Sequence, residues 1–259
     1  MEAKNNDEFD YVEPTEVEDL CFLPEDLQVF EIKDPKQRVT AVQKRFFPRM
    51  HMLRDYALEL IHEIYEIDPR KGSSYVNSPM PREDAKAPKG FEAVIVGIIG
   101  KGKNTALLDV KRQTGGAYNL HPSQLCFVVT ADGTVRAEFM PFRYPKVSDE
   151  YVLAFHKLVV DCRDNVEALF AYGNLSHPFA TELRPLRDLF GIRRHDMVLQ
   201  RIVSPEYYVP IFVESLDQVV SAFIAMYPFY EYGRAVAGGV EPQFATLVDR
   251  LRAWQQRSE

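Results

Sequence analysis

Apolar and polar positions along this chain recur with two periods, and each period predicts its own elements. From Asp34, able to cap a helix with Pro35 at its first position, the spacing is helical, and Pro48 predicts a second start or a kink, hence two segments. In the second, Met50, Leu53, Tyr56, Ala57, Leu60, Ile61 and Ile64 share one face, with Arg54, Asp55, Glu59, Glu63 and Glu66 opposite. Residues 68–90 break the pattern: Pro69, Pro79, Pro81 and Pro88 stand among Arg70, Lys71, Arg82, Lys86 and Lys89, which predicts a long basic loop.

The run 91–99 is continuously apolar and rich in Val and Ile, as expected of a strand buried on both faces. Residues 125–130 and 134–142 flank Ala131, Asp132 and Gly133, and a glycine at a tight turn admits the positive φ that hairpins need. Helical spacing returns over 151–170, with Val152, Phe155, Val159, Val166 and Leu169 on one side and Gly173 after the end. Further helices are expected over 181–190 and 210–226, the latter stopped by Pro228, with a strand over 196–204 between them. Pro242 opens a terminal helix on which Phe244, Leu247, Val248, Leu251 and Trp254 share a face. Helices outnumber strands and the strands cluster, so the expected class is α+β, a mostly antiparallel or mixed sheet with a central hairpin, packed by several helices.

Composition adds boundaries to this picture. The chain has 259 residues, 46% hydrophobic and 12% aromatic, enough for a substantial core. No apolar run reaches the roughly 18 to 20 residues of a membrane span, and the first residues lack a basic start and apolar core, so a cytoplasmic location is expected. Cys21, Cys126 and Cys162 are odd in number and form no CxxC pair, which suits a reducing compartment and argues against zinc. The formal charge of −7 is uneven: residues 1–28 hold ten acidic side chains against Lys4. Residues 1–28 are therefore expected to be an acidic, flexible tail, 29–240 a single α+β domain, and 241–259 a helix packed on it.

Candidate chemistry is sparse. Gly97 to Thr105 nearly spells a phosphate-binding loop, with Gly100, Lys101, Gly102 and Lys103 in place, but Asn104 stands where the magnesium-binding hydroxyl belongs. Its partner would be Asp161, which ends an apolar run inside a predicted helix rather than a strand. A glycine-lysine turn between two strands accounts for the segment as well. The six histidines are scattered without metal-ligand spacing, and His62 and His156 read as surface groups. Asp109, Asp161 and Asp196 are too far apart in sequence to be paired from sequence alone. Basic residues gather as Arg82, Lys86 and Lys89, as Lys101 and Lys103, as Lys111 and Arg112, and as Arg193 and Arg194; together they would suit an anion.

Three stretches resemble the YktB-like bacterial family of unknown function: Leu27-Gln28-Val29-Phe30-Glu31-Ile32, Gln124-Leu125-Cys126-Phe127-Val128-Val129, and Ile211 to Gln218 followed by Tyr227-Pro228-Phe229-Tyr230. The resemblance spans residues 25–232 and implies an α+β fold without a settled activity. Where that family carries a His- and Arg-rich stretch before the central strand, residues 75–82 here keep one arginine, Arg82.

The leading expectation is an intracellular, non-catalytic binding or regulatory protein whose basic loops contact an anionic partner, protein or polyanion, with the acidic tail competing for that basic surface. No cofactor, metal or membrane is expected. One alternative is a nucleotide- or phosphate-binding enzyme using the Gly97-to-Lys103 loop with a magnesium nucleotide. Another is a subunit of a larger assembly, suggested by Tyr227, Phe229, Tyr230 and Tyr232.

Overall fold

The computed structural model describes residues 22, 24–69, 74–77, 93–98, 124–130, 133, 135–140, 149–175, 199–203 and 213–258. A single turn of helix, α1 (Pro24–Leu27), and a 3-10 turn over Gln28–Glu31 lead to Asp34. Asp34 is extended, and its carboxylate accepts from the Gln37 N–H at 2.8 Å, satisfying one of the donors left over at a helix start. Pro35 needs no such partner at the first position. The helix it opens, α2, runs unbroken over Pro35–Tyr65.

Pro48 therefore neither ends a helix nor starts one. A proline inside a helix removes one backbone bond and costs about 3 kcal/mol. Phe46 and Met50 on either side of it are wholly buried, so the core holds the helix together across the defect. The expected face is largely confirmed: Met50, Leu53, Ala57, Ile61 and Ile64 are buried, with Tyr56 and Leu60 half-buried. Arg54, expected among the solvated positions, is buried and paired with Asp55 at 2.8 Å.

Five strands follow, β1 (Ser74–Asn77), β2 (Ala93–Ile98), β3 (Gln124–Thr130), β4 (Val135–Met140) and β5 (Leu199–Val203). They lie side by side in that order, every neighbouring pair antiparallel. The expected hairpin joins β3 to β4, with Gly133 at φ +86° donating its N–H to the Thr130 carbonyl at 2.9 Å. β1 lies inside the stretch expected to be all loop. Its four residues carry too little apolar pattern to announce a strand, and pairing with β2 makes them one.

The long helix expected over 151–170 is two: α3 (Asp149–Asp161) and α4 (Arg163–Gly173), divided at Cys162. Asn174, in the left-handed conformation, caps α4, so Gly173 is its last residue rather than the residue beyond it. Next in the described fold is α5 (Val213–Gly238), which passes through Pro228 instead of stopping there. Residues 219–230 of α5 are buried at all but one position, the signature of a helix surrounded by protein. It packs against α2, α3, α4 and strands β3 to β5, while α2 covers β1 and β2. The terminal helix, α6 (Phe244–Ser258), buries Phe244, Leu247, Val248 and Leu251 as expected, and packs on α2, α4 and α5. The helix expected over 181–190 lies outside the described residues.

The aromatic run in α5 belongs to this core. Tyr227, Phe229 and Tyr230 are buried; Tyr227 stacks on Tyr65 with centroids 5.4 Å apart, and Phe223 stacks on Phe127 at 4.3 Å. Core packing thus accounts for the rings that had suggested a larger assembly.

Phe22 and residues 24–28, expected within the acidic tail, belong to the described fold. Phe22 is buried, and Asp26, fully enclosed, pairs with Arg45 and with Arg49 at 2.5 Å. An aspartate in a charge-rich segment gives no local sign of burial; its two partners are 19 and 23 residues away. Residues 1–21 lie outside the described residues.

Candidate functional site

The sheet register sorts the sequence's basic clusters by where the chain leaves the strands. Asn77 pairs with Ala93 and Ala93 with Thr130, so the chain leaves β1, enters β2 and turns the hairpin at one end of the sheet. Ile98 pairs with Leu125, Gln124 with Met140 and Phe139 with Leu199, which places the end of β2, the starts of β3 and β5 and the end of β4 at the opposite end. Six residues of strand separate the two ends by about 20 Å.

All nine candidate ligand-binding residues lie outside the described residues, but the ends that anchor them do not. Arg82, Lys86 and Lys89 belong to residues 78–92, anchored at the hairpin end, where Glu83, Asp84 and Glu92 offset them. Gly100, Lys101, Gly102, Lys103, Lys111 and Arg112 belong to residues 99–123, anchored at the far end, with Asp109 the only acidic residue among them. The chain leaving β4 at that same end carries Arg143 and Lys146 and no acid before α3. Arg193 and Arg194 shortly precede β5, which also starts there. Arg143 and Lys146 drew no attention in the sequence, since only strand direction groups them with Lys101 and Lys103.

The sheet's second face carries polar groups, with Cys126, Val128, Thr130 and Glu138 buried and Arg136 half-buried. Leu125, Phe127 and Val129, with Val135, Ala137 and Phe139, point into the main core. Cys126 and Val128 alternate to the other side and form a small cluster of their own. Opposite them Arg136 donates to the Glu138 carboxylate at 2.7 Å, and the Cys126 thiol lies 3.7 Å from the Glu138 carbonyl oxygen. Gly97 sits against this pair of strands. A Cβ there would collide with the Leu125 carbonyl and stand 2.5 Å from the Cys126 Cα, so only glycine permits the approach.

Neither a protein-family model nor a curated protein matches the chain.

The titratable groups inside the fold are displaced as burial alone would displace them. Burial lifts the Tyr65 and Tyr227 hydroxyls well above the usual phenol range, with Tyr172 adding to the first and Glu231 to the second. Burial, aided by Asp161, raises the Cys162 thiol, the reverse of what a thiolate nucleophile requires. His156, expected at the surface, is buried, and burial lowers its pKa. Tyr65 donates to the Ile224 carbonyl at 2.9 Å and Tyr227 to Glu231 at 3.0 Å, which are structural bonds between packed helical turns. Asp161 ends α3 at an exposed position, a helix terminus and not the strand end that a magnesium aspartate requires. Among the described residues no group of histidine, cysteine, aspartate or glutamate is arranged to hold a metal, and no helix is long and apolar enough to cross a membrane.

Proposed function

We propose that this chain is an intracellular, cytoplasmic, non-catalytic binding or regulatory protein that contacts an anionic partner through the basic segments at the far end of its sheet. The observation that carries this reading is the shared exit. The segment with Lys101, Lys103, Lys111 and Arg112 enters β3 beside the end of β4, from which the one with Arg143 and Lys146 leaves, and together they hold a single acidic residue. Cations brought close together bind polyanions with an affinity that falls steeply with salt, because each contact releases a counterion. Arg82, Lys86 and Lys89 share their segment with Glu83, Asp84 and Glu92, which cancel their charge, so this reading gives them the smaller part. The YktB-like resemblance joins the reading as kinship of fold, without an activity.

Heparin-column elution by salt tests it. Changing Lys101, Lys103, Lys111 and Arg112 together to Ala should bring elution to markedly lower salt, whereas changing Arg82, Lys86 and Lys89 should leave it nearly unchanged. Equal effects of the two sets, or none, would defeat the far-end reading. Tight nucleotide binding that needs magnesium and is lost in Lys103→Ala would instead favour the phosphate-handling enzyme.

A further inference from the structure

Pro228 leaves a carbonyl of α5 in need of a donor. In a helix each C=O accepts from the N–H four residues on, and proline has no N–H, so the Ile224 carbonyl loses the bond that would carry the helix past it. Every position from 222 to 230 is buried, which keeps bulk water away, and a buried backbone acceptor left unbonded is costly. The chain supplies a substitute from 159 residues away: the Tyr65 hydroxyl donates to the Ile224 oxygen at 2.9 Å.

Tyr65 is held to this position from two sides. Its ring is wholly buried and stacks on Tyr227, the residue before the proline, with centroids 5.4 Å apart. Burial lifts its hydroxyl well above the usual phenol range, so it keeps its proton and remains a donor at neutral pH. Tyr65 is also the last residue of α2, and its own carbonyl, one of those a helix end leaves over, accepts from the Arg250 guanidinium of α6. Arg250 pairs in turn with Glu66, the capping residue of α2, at 3.2 Å. Along α5, Phe223 before the proline stacks on Phe127 of β3, and Phe229 after it lies 5.2 Å from Phe244 of α6. The bond at Ile224 therefore falls between the stack on the sheet and the contact with α6.

We propose that Tyr65 is the pin of a three-helix joint: its hydroxyl takes the place of the N–H that Pro228 lacks, keeping α5 continuous through the proline, while its carbonyl ties α6 to the same point. Removing the hydroxyl alone leaves the ring, its stack and the Arg250 contact in place and opens α5 at the proline. The joint belongs to the helical layer and does not depend on what the protein binds.

Two measurements on the full chain test it. In urea unfolding, Tyr65→Phe should raise the unfolding equilibrium constant about tenfold. Pro228→Ala restores the missing N–H, so in that background the same change should cost about threefold or less. Equal costs in the two backgrounds would overturn the proposal. Native-state hydrogen exchange, read by peptide mass, needs no change at Pro228: Tyr65→Phe should speed exchange over residues 225–232 more than over residues 50–60 of α2. Equal acceleration of the two segments, or none, would overturn the local role of the hydroxyl.

Discussion

The two faces of the sheet are built from the same strands and do different things. On one, Leu125, Phe127, Val129, Val135, Ala137 and Phe139 are apolar without exception and merge with the helical core. On the other, Cys126 and Val128 stand beside an Arg136–Glu138 ion pair, and Cys126, Val128, Thr130 and Glu138 are buried all the same. Burial on the first face stabilises through area removed from water, roughly 25 cal/mol per Å². The second face holds a partly buried ion pair, which contributes little net stability while intact and destabilises when one partner is removed. The core face is therefore a foundation, and the second face is held by complementarity between a few groups.

The comparison can be broken in order of expected effect. Phe127→Ala removes the ring stacked on Phe223 and should cost about 3–5 kcal/mol, read as a lower urea midpoint. Gly97→Ala drives a methyl into β3 backbone and should cost about 1–3 kcal/mol despite being the smallest of additions. Glu138→Gln should cost about 1–2 kcal/mol by leaving Arg136 without its charge partner, and replacing both residues by Met should recover most of that loss. If the double change is as damaging as Phe127→Ala, the second face is as much a foundation as the first. The smallest effect concerns pH. Burial depresses the pKa of His156 below 6.5, so the neutral ring favours folding above that pH and the contribution is lost as pH falls through and below it. Between about pH 7 and about pH 5 the wild-type midpoint should fall more than that of His156→Gln, measured by urea unfolding.

Much of the fold was legible because much of it is local. The Asp34 cap acts on a backbone N–H three residues away, and Gly133 turns a hairpin whose strands are adjacent in sequence. The stripe from Phe244 to Leu251 needs only its own periodicity to be recognised. The misreadings share one cause. Pro48, Pro228 and the division at Cys162 were judged by local preference, whereas in the fold the packing of flanking residues decides whether a helix continues. Of the candidate site, the cluster near Lys101 was readable as composition. That its segment is anchored at the opposite end of the sheet from the one with Arg82, Lys86 and Lys89 was not, because that follows from strand pairing over dozens of residues.

By itself, then, the sequence determined the α+β class, the hairpin, the capped start of α2 and the terminal helix, since neighbouring residues carry the interactions that form them. Tertiary structure alone decided that two helices run through their prolines, that β1 is a strand and that Asp26 is enclosed by arginines of α2. It also decided which basic segments share an end of the sheet. Each of these depends on a partner distant in the chain, and register and burial exist only once the partners have met.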